Sequence, residues 1–353
     1  MKSIVTRCAK VYLLLACVLV LGAGHGRLLA GAQAQQDGET QEEPEQLRKI
    51  WDDGLKSARP PSAKQNAGAQ AAGKPQTPKR PQHTYVRKTT PTQQQSARLK
   101  NVGSAKKAVA ESAEAGASER RVVGVTLWRL RPSAPGDEAR MIVQEPSQIG
   151  PREWTPERVE AETPFASGER VRIGIESPRA GFLYVINRER YADGSSGEPK
   201  LIFPTTRTRD GNNHVRAGHV VEIPARSDSV PYFTMKPGRR DQVAEDLTVI
   251  VTDQPLVVNG QTLDLVIGRQ PLPLDDTTVR EWELKWKREV GRLELVGGRG
   301  RAWTKAEQEA GGGTRELTQE ESLPQSIYYV SAKRGDPVLV KVSLLYKNTS
   351  ARR

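Results

Sequence analysis

The chain has 353 residues, with 54 Lys or Arg against 42 Asp or Glu, a formal charge of +12, and two cysteines, Cys8 and Cys17. That length holds one or two domains plus unstructured segments. Because both cysteines fall in the first 34 residues, a disulfide framework, a cysteine nucleophile and a cysteine-ligated metal are excluded for the rest of the chain.

Lys2, Arg7 and Lys10 precede an apolar and small-residue stretch over 11–24, and Ala32-Gln33-Ala34 forms an A-x-A cleavage pattern. These are the three parts of a secretory signal peptide, so residues 1–34 are predicted to be one, removed after export. The apolar stretch is shorter than the roughly 20 residues that span a bilayer as a helix. Leu14-Leu15-Ala16-Cys17 has some likeness to a lipobox, but the cysteine stands inside the apolar run rather than at its end. The expected location is the periplasm or cell surface of a bacterium. There, a basic balance points to anionic envelope polymers, acidic lipid head groups or an acidic protein face.

Residues 35–120 read as a disordered, Pro/Gln/Lys-rich basic arm. Between 54 and 110 there are twelve Lys or Arg, no Asp or Glu, and almost no residue large and apolar enough to build a core. A short acidic patch, Glu42-Glu43-Pro44-Glu45, precedes this stretch. Residues 47–55, with Trp51, are compatible with a brief helix that docks a partner, or with a stray aromatic in the arm.

At Arg121 the composition changes, and residues 121–270 are predicted to form a β-rich domain. Val122 to Leu130 is β-branched and apolar, and Arg170-Val171-Arg172-Ile173-Gly174-Ile175-Glu176 alternates, placing Val171, Ile173 and Ile175 on a buried face and Arg172 on an exposed one. On that reading, replacing Arg172 is nearly silent. Phe182 to Ile186 reads as a central strand, and Asp193-Gly194 as a hairpin tip before Leu201-Ile202-Phe203. Val220 to Ile223, Tyr232 to Met235 and Leu247 to Thr252 follow between turn residues. Many short strands at close spacing predict a mainly β fold, an antiparallel β-sandwich or small barrel.

Residues 271–353 are predicted to hold one amphipathic helix, a flexible loop and terminal strands packed on the β domain. Thr278-Val279-Arg280-Glu281 fits a capping box, Val279, Trp282, Trp286 and Val290 share a helical face, and Glu281/Lys285 and Glu283/Lys287 are spaced for ion pairs. Residues 297–321 read as a flexible insertion. Ser326 to Val330 and Val338 to Tyr346 read as strands around a turn at Lys333-Arg334-Gly335-Asp336, the last completing the sheet begun near Val122.

Gly124-Val125-Thr126-Leu127-Trp128, Gly168-Glu169-Arg170-Val171-Arg172, Gly181-Phe182-Leu183-Tyr184-Val185, Leu201-Ile202-Phe203-Pro204, residues 213–218 and Glu245-Asp246-Leu247-Thr248 form an ordered series. Through this series the block from 124 to about 256, a little over a third of the chain, resembles the bacterial family called domain of unknown function 4384. The resemblance implies a compact β module on an exported protein. It implies no established activity and no catalytic residue.

The best metal candidate is Asn213, His214, His219 and Glu222, but positions 214 and 219 face opposite sides of a continuous strand, and their spacing fits no standard zinc pattern. No G-x-S-x-G elbow, P-loop, H-E-x-x-H or EF-hand loop is present. Asp193-Gly194-Ser195-Ser196-Gly197 has too few carboxylates for calcium, Asp275-Asp276 suits a helix start, and a single Gly297-Gly298-Arg299-Gly300-Arg301 reads as a loop rather than an RNA-binding segment. No catalytic, cofactor-binding or metal-binding residue is therefore assigned, and no cofactor. The expected function is a non-catalytic binding or scaffolding module of the envelope. The basic arm tethers it, and the β domain recognises an envelope protein or an anionic cell-wall polymer. The alternative is an envelope hydrolase whose residues are spread over loops. Nucleic acid is not expected, since Tyr85 is the sole aromatic among residues 54–110.

Overall fold

The structure is a computed structural model that describes residues 49–50, 52–62, 118–143 and 150–347. The predicted signal peptide, and residues 35–48, Trp51 and 63–117 of the expected arm, lie outside the described residues. No helix among the described residues is long and apolar enough to cross a membrane.

The strands are β1 (Ser118–Pro132), β2 (Met141–Val143), β3 (Arg152–Val159), β4 (Arg170–Glu176), β5 (Gly181–Tyr191), β6 (Lys200–Phe203), β7 (His214–Val215) and β8 (Val220–Ile223). They continue as β9 (Phe233–Thr234), β10 (Gln242–Thr252), β11 (Val257–Val258), β12 (Gln261–Thr262) and β13 (Leu272–Pro273). Helix α1 (Asp276–Lys285), β14 (Val290–Glu294), α2 (Lys305–Gly311), β15 (Ser326–Lys333) and β16 (Val338–Leu345) complete the order.

The fold is mainly β and antiparallel, a sandwich of two sheets. Long β1 is the hub of the first sheet: one edge takes β15 and then β3, and the other takes β4. Outside these lie β14 beside β15, β2 beside β3, and β8 and β9 beside β4. The second sheet runs β13-β6-β5-β10-β16, with β7 at the end of β5. Alternate residues of each strand meet between the sheets. Val123, Val125, Leu127, Val171, Ile173 and Ile175 from the first face Leu183, Val185, Val249, Val340 and Val342 from the second. Removing this apolar surface from water is the main stabilising contribution.

Both outer faces are covered as well, and this overturns several sequence expectations. Over the second sheet, α1 and its flanking loops bury Tyr184, Ile186, Ile250 and Val279. Over the first, Trp128, Leu130 and Trp303 form another apolar cluster. Residues 297–321 are thus not a flexible insertion. Glu157 bridges Ala302, Arg158 N–H donates to Arg301 O at 2.9 Å, and α2 opens with a reciprocal capping box between Thr304 and Glu307. The Thr304-Lys305-Ala306-Glu307 pattern announces that second helix, while the surrounding glycines mask it.

Helix α1 starts three residues before the expected cap, because Asp275 accepts the Thr278 N–H at 2.9 Å. It ends at Lys285, so Val290 begins β14 instead of extending the apolar stripe. Glu283 pairs with Lys341 at 3.1 Å rather than with Lys287, and no Glu281–Lys285 pair forms among the described residues. The last strand also goes elsewhere: β15 pairs with β1 at Val122, whereas β16 joins the second sheet beside β10.

The arm reading fails over residues 52–62. A single π-helical turn (Asp52–Lys56) and the residues after it lie on the outer face of the first sheet, where Ile50 and Leu55 pack on Val122, Leu293 and Ile327. Arg59 pins this strap. Its Nε and Nη2 each donate to the Glu176 carboxylate at 2.7 Å, and Nη1 and Nη2 reach the Glu321 and Ser322 carbonyls. Arg59→Ala is expected to loosen the strap and destabilise the protein by up to about 3 kcal/mol. The loss stays below that of a pair locked between strands, because an undocked strap lets Glu176 reach water. Hydrogen exchange checks this: amides of residues 52–60 should lose protection first, and unchanged protection there contradicts it.

The turn after β1 is held by Asp137. Its carboxylate takes two bonds from Arg131 at 2.7 and 2.8 Å, one from the Ala134 N–H and one from Thr155 Oγ1. Arg131 first, then Ala134 and Thr155, hold the Asp137 carboxyl far below the usual carboxylate range. A depressed folded pKa gives stability that is present above the unfolded value of about 3.9 and is lost as pH falls through the folded one. Asp137→Asn should therefore lose about 1–2 kcal/mol at neutral pH. The gap from the parent should narrow below about pH 4, and a gap independent of pH in thermal melts refutes the assignment.

Candidate functional site

Polar side chains converge most densely under α2. On the outward side of β4 and its neighbours, Arg172 Nη2 donates to Glu222 at 2.7 Å, Arg59 holds Glu176, and Arg158 Nη2 donates to Glu307. All six side chains are buried. The Arg158 guanidinium lies 5.2 Å from the Trp128 ring, and that of Arg172 lies 5.6 Å from Trp303. Helix α2 comes so close that a Cβ on Gly311 would stand 2.2 Å from Glu222 Cδ. The free space left among these residues is about 20 Å³, room for about one water molecule. This layer resembles an active site in composition, but it is closed by its own pairing.

Space lies elsewhere, at the open side of the sandwich. The apolar stripe of α1 (Val279, Trp282, Trp286) packs inward, with the two indoles stacked 5.8 Å apart. Its flank, Arg280, Glu283, Leu284 and Lys287, borders a groove of about 850 Å³. Val290 and Arg292 of β14, Tyr328 of β15, and Leu339 and Lys341 of β16 complete the lining with Arg288. Arg280, Lys287, Arg288, Arg292 and Lys341 thus face one lining carboxylate, Glu283. Leu284 is 72 % exposed and Val290 40 %, so the groove also presents bare apolar surface.

Four of the five cations already have carboxylate neighbours: Asp276 for Arg280, Asp336 for Arg288, Glu162 for Arg292 and Glu283 for Lys341. Lys287 has none among the described residues. Exposed pairs of this kind are worth about 0–1 kcal/mol, so an arriving carboxylate displaces one at little cost. Burial pushes the Tyr328 hydroxyl up to about 12, with Arg292 opposing, and it stays protonated at neutral pH. The lining contains no serine, cysteine or histidine. Chemically, the groove can hold an anionic ligand with apolar parts. Its lining has no nucleophile paired to a base.

The residues weighed from sequence do not meet. His214, exposed on β7 of the second sheet, lies against Phe182 with centroids 4.3 Å apart and the rings tilted, whereas buried Glu222, on β8 of the first sheet, is taken by Arg172. His219 accepts from Arg216 at 2.9 Å, and Asn213 donates to Asp264 at 3.1 Å. Among the described residues no group of three His, Asp or Glu side chains gathers to hold a metal. Asp193 caps its own hairpin tip by accepting from Ser195 N–H and Oγ. Arg299 is an exposed neighbour of Glu160.

No family model, no curated protein and no solved structure matches this chain.

Proposed function

We propose that the chain is a non-catalytic binding module exported to the bacterial envelope, and that the groove between α1, β14 and β16 receives a carboxylate-bearing ligand. The observation that carries this reading is a separation. The polar groups that converge are held in ion pairs around space for about one water molecule, whereas the wide groove is lined by five cations, one carboxylate, Tyr328 and aliphatic side chains. An enzyme needs its reacting groups and its space in one place. The basic residues between 63 and 110 add long-range attraction for the same ligand and raise its local concentration. That attraction is screened over about 8 Å at physiological ionic strength, so the arm's share of binding falls with salt.

Fluorescence anisotropy with labelled poly-L-glutamate and the full chain tests the proposal. Lys287→Glu combined with Lys341→Gln is expected to weaken binding about tenfold, the equivalent of about 1.4 kcal/mol over two contacts. Arg299→Glu with Lys305→Gln, exposed cations outside the groove, serves as the comparison. Equal losses in the two double variants would mean that only net charge is read, and the groove assignment would fall.

A further inference from the structure

The groove runs along a strand edge with free hydrogen-bonding groups. β16 is the last strand of the second sheet. Tyr346 N–H donates to Val243 O on the β10 side, and Leu345 O accepts the Phe165 N–H on the opposite side, at 2.9 and 2.8 Å. Along an antiparallel strand the N–H and C=O of one residue point the same way, and successive residues point opposite ways. Leu339, Lys341 and Ser343 therefore aim their backbone groups away from β10, and no strand among the described residues takes them. Phe165 occupies only the far end, through Leu345 and Lys347.

Side-chain placement ties this edge to the groove. Val338, Val340 and Val342 point into the core between the sheets, so Leu339 and Lys341 lie on the outer side toward α1. Tyr328 and Arg292, on the other wall, belong to the first sheet. A groove lined by both sets passes across the free edge of β16. A lysine in the middle of an edge strand usually blocks further pairing. Lys341 is drawn toward the helix by Glu283 at 3.1 Å instead.

We infer that the ligand is an extended peptide of alternating acidic and apolar residues, which joins the second sheet as a strand beside β16. This rests on the groove reading above. Main-chain bonds to Leu339, Lys341 and Ser343 supply affinity, and the period of two supplies selectivity. One side of the added strand faces Lys341, Lys287 and Arg280, where carboxylates fit. The other faces Val290 and the Tyr328 ring, where apolar side chains fit beside Arg292, which Glu162 holds at 2.9 Å.

The test uses the full chain and a labelled peptide Val-Glu-Val-Glu-Val-Glu, with a block peptide Val-Val-Val-Glu-Glu-Glu of equal charge. Two further versions carry N-methyl groups on the valine amides or on the glutamate amides. Strand addition requires that one N-methylated version lose at least about tenfold in affinity while the other keeps it, because only one set of amides faces β16. The block peptide should bind more weakly than the alternating one. Equal binding of the two N-methylated versions, or tighter binding of a polyuronate of the same charge, would overturn the inference. If Lys287→Glu with Lys341→Gln still weakens the peptide in that case, only strand addition has failed. If those substitutions change nothing, the groove reading has failed with it.

Discussion

Replacing Ile173 by Asp is expected to abolish the folded state of the β domain. Ile173 is 1 % exposed at the centre of β4, between Leu127 on β1 and Ile223 on β8, and faces the second sheet. An aspartate there loses the isoleucine packing and brings an unpaired charge into a region with no partner for it. Relief comes only by protonation or by opening the sandwich. The penalty, several kcal/mol for the charge plus about 2–5 for the lost side chain, is comparable with the whole 5–15 kcal/mol of a typical domain. A thermal melt should show no cooperative transition. A transition within a few degrees of the parent would mean that β4 is not the centre of the core.

Arg172→Ala, one residue away on the opposite side of β4, is expected to cost about 3–5 kcal/mol. The sequence reading makes this change nearly silent, and the structure reverses that expectation. Arg172 is 1 % exposed, holds Glu222 at 2.7 Å and packs over Trp303 beneath α2. Truncation leaves the Glu222 carboxylate buried without its partner. Unlike Glu176, which sits beneath a strap that can undock, Glu222 is enclosed by β4, α2 and Gly311. At about 2–4 °C per kcal/mol, the melting temperature should fall by roughly 10 °C. Arg172→Met combined with Glu222→Leu should recover much of the loss, because an apolar pair removes both buried charges. A silent Arg172→Ala, or a double variant no better than the single one, would mean that Arg172 does not neutralise a buried Glu222.

These two neighbours mark where sequence stops being informative. Alternation at 170–176 identifies one buried face correctly, since Val171, Ile173 and Ile175 all enter the core. It says nothing about the other face, whose cover comes from far along the chain: Glu222 is 50 residues from Arg172, and Arg59 is 117 from Glu176. Charged residues there read as solvated because their partners are invisible at the level of periodicity. The strap around Arg59 was hidden by a proline-rich, lysine-rich context, and α2 by the glycines on both sides of a readable capping box. The groove was the least legible feature. It is assembled from the end of α1, β14, β15 and β16, and no local pattern joins Lys287 to Lys341 or either of them to Tyr328.

Whether ligand binds in the groove is decided by hydrogen exchange of the full chain with and without poly-L-glutamate. New protection on the β domain is expected to be confined to the groove, over residues 280–292 and, where the ligand adds as a strand, at the β16 amides of Leu339, Lys341 and Ser343, with the buried layer around Arg172 and Glu222 unchanged. Protection that appears elsewhere on the β domain, or none there at a concentration that saturates binding, would contradict binding in the groove.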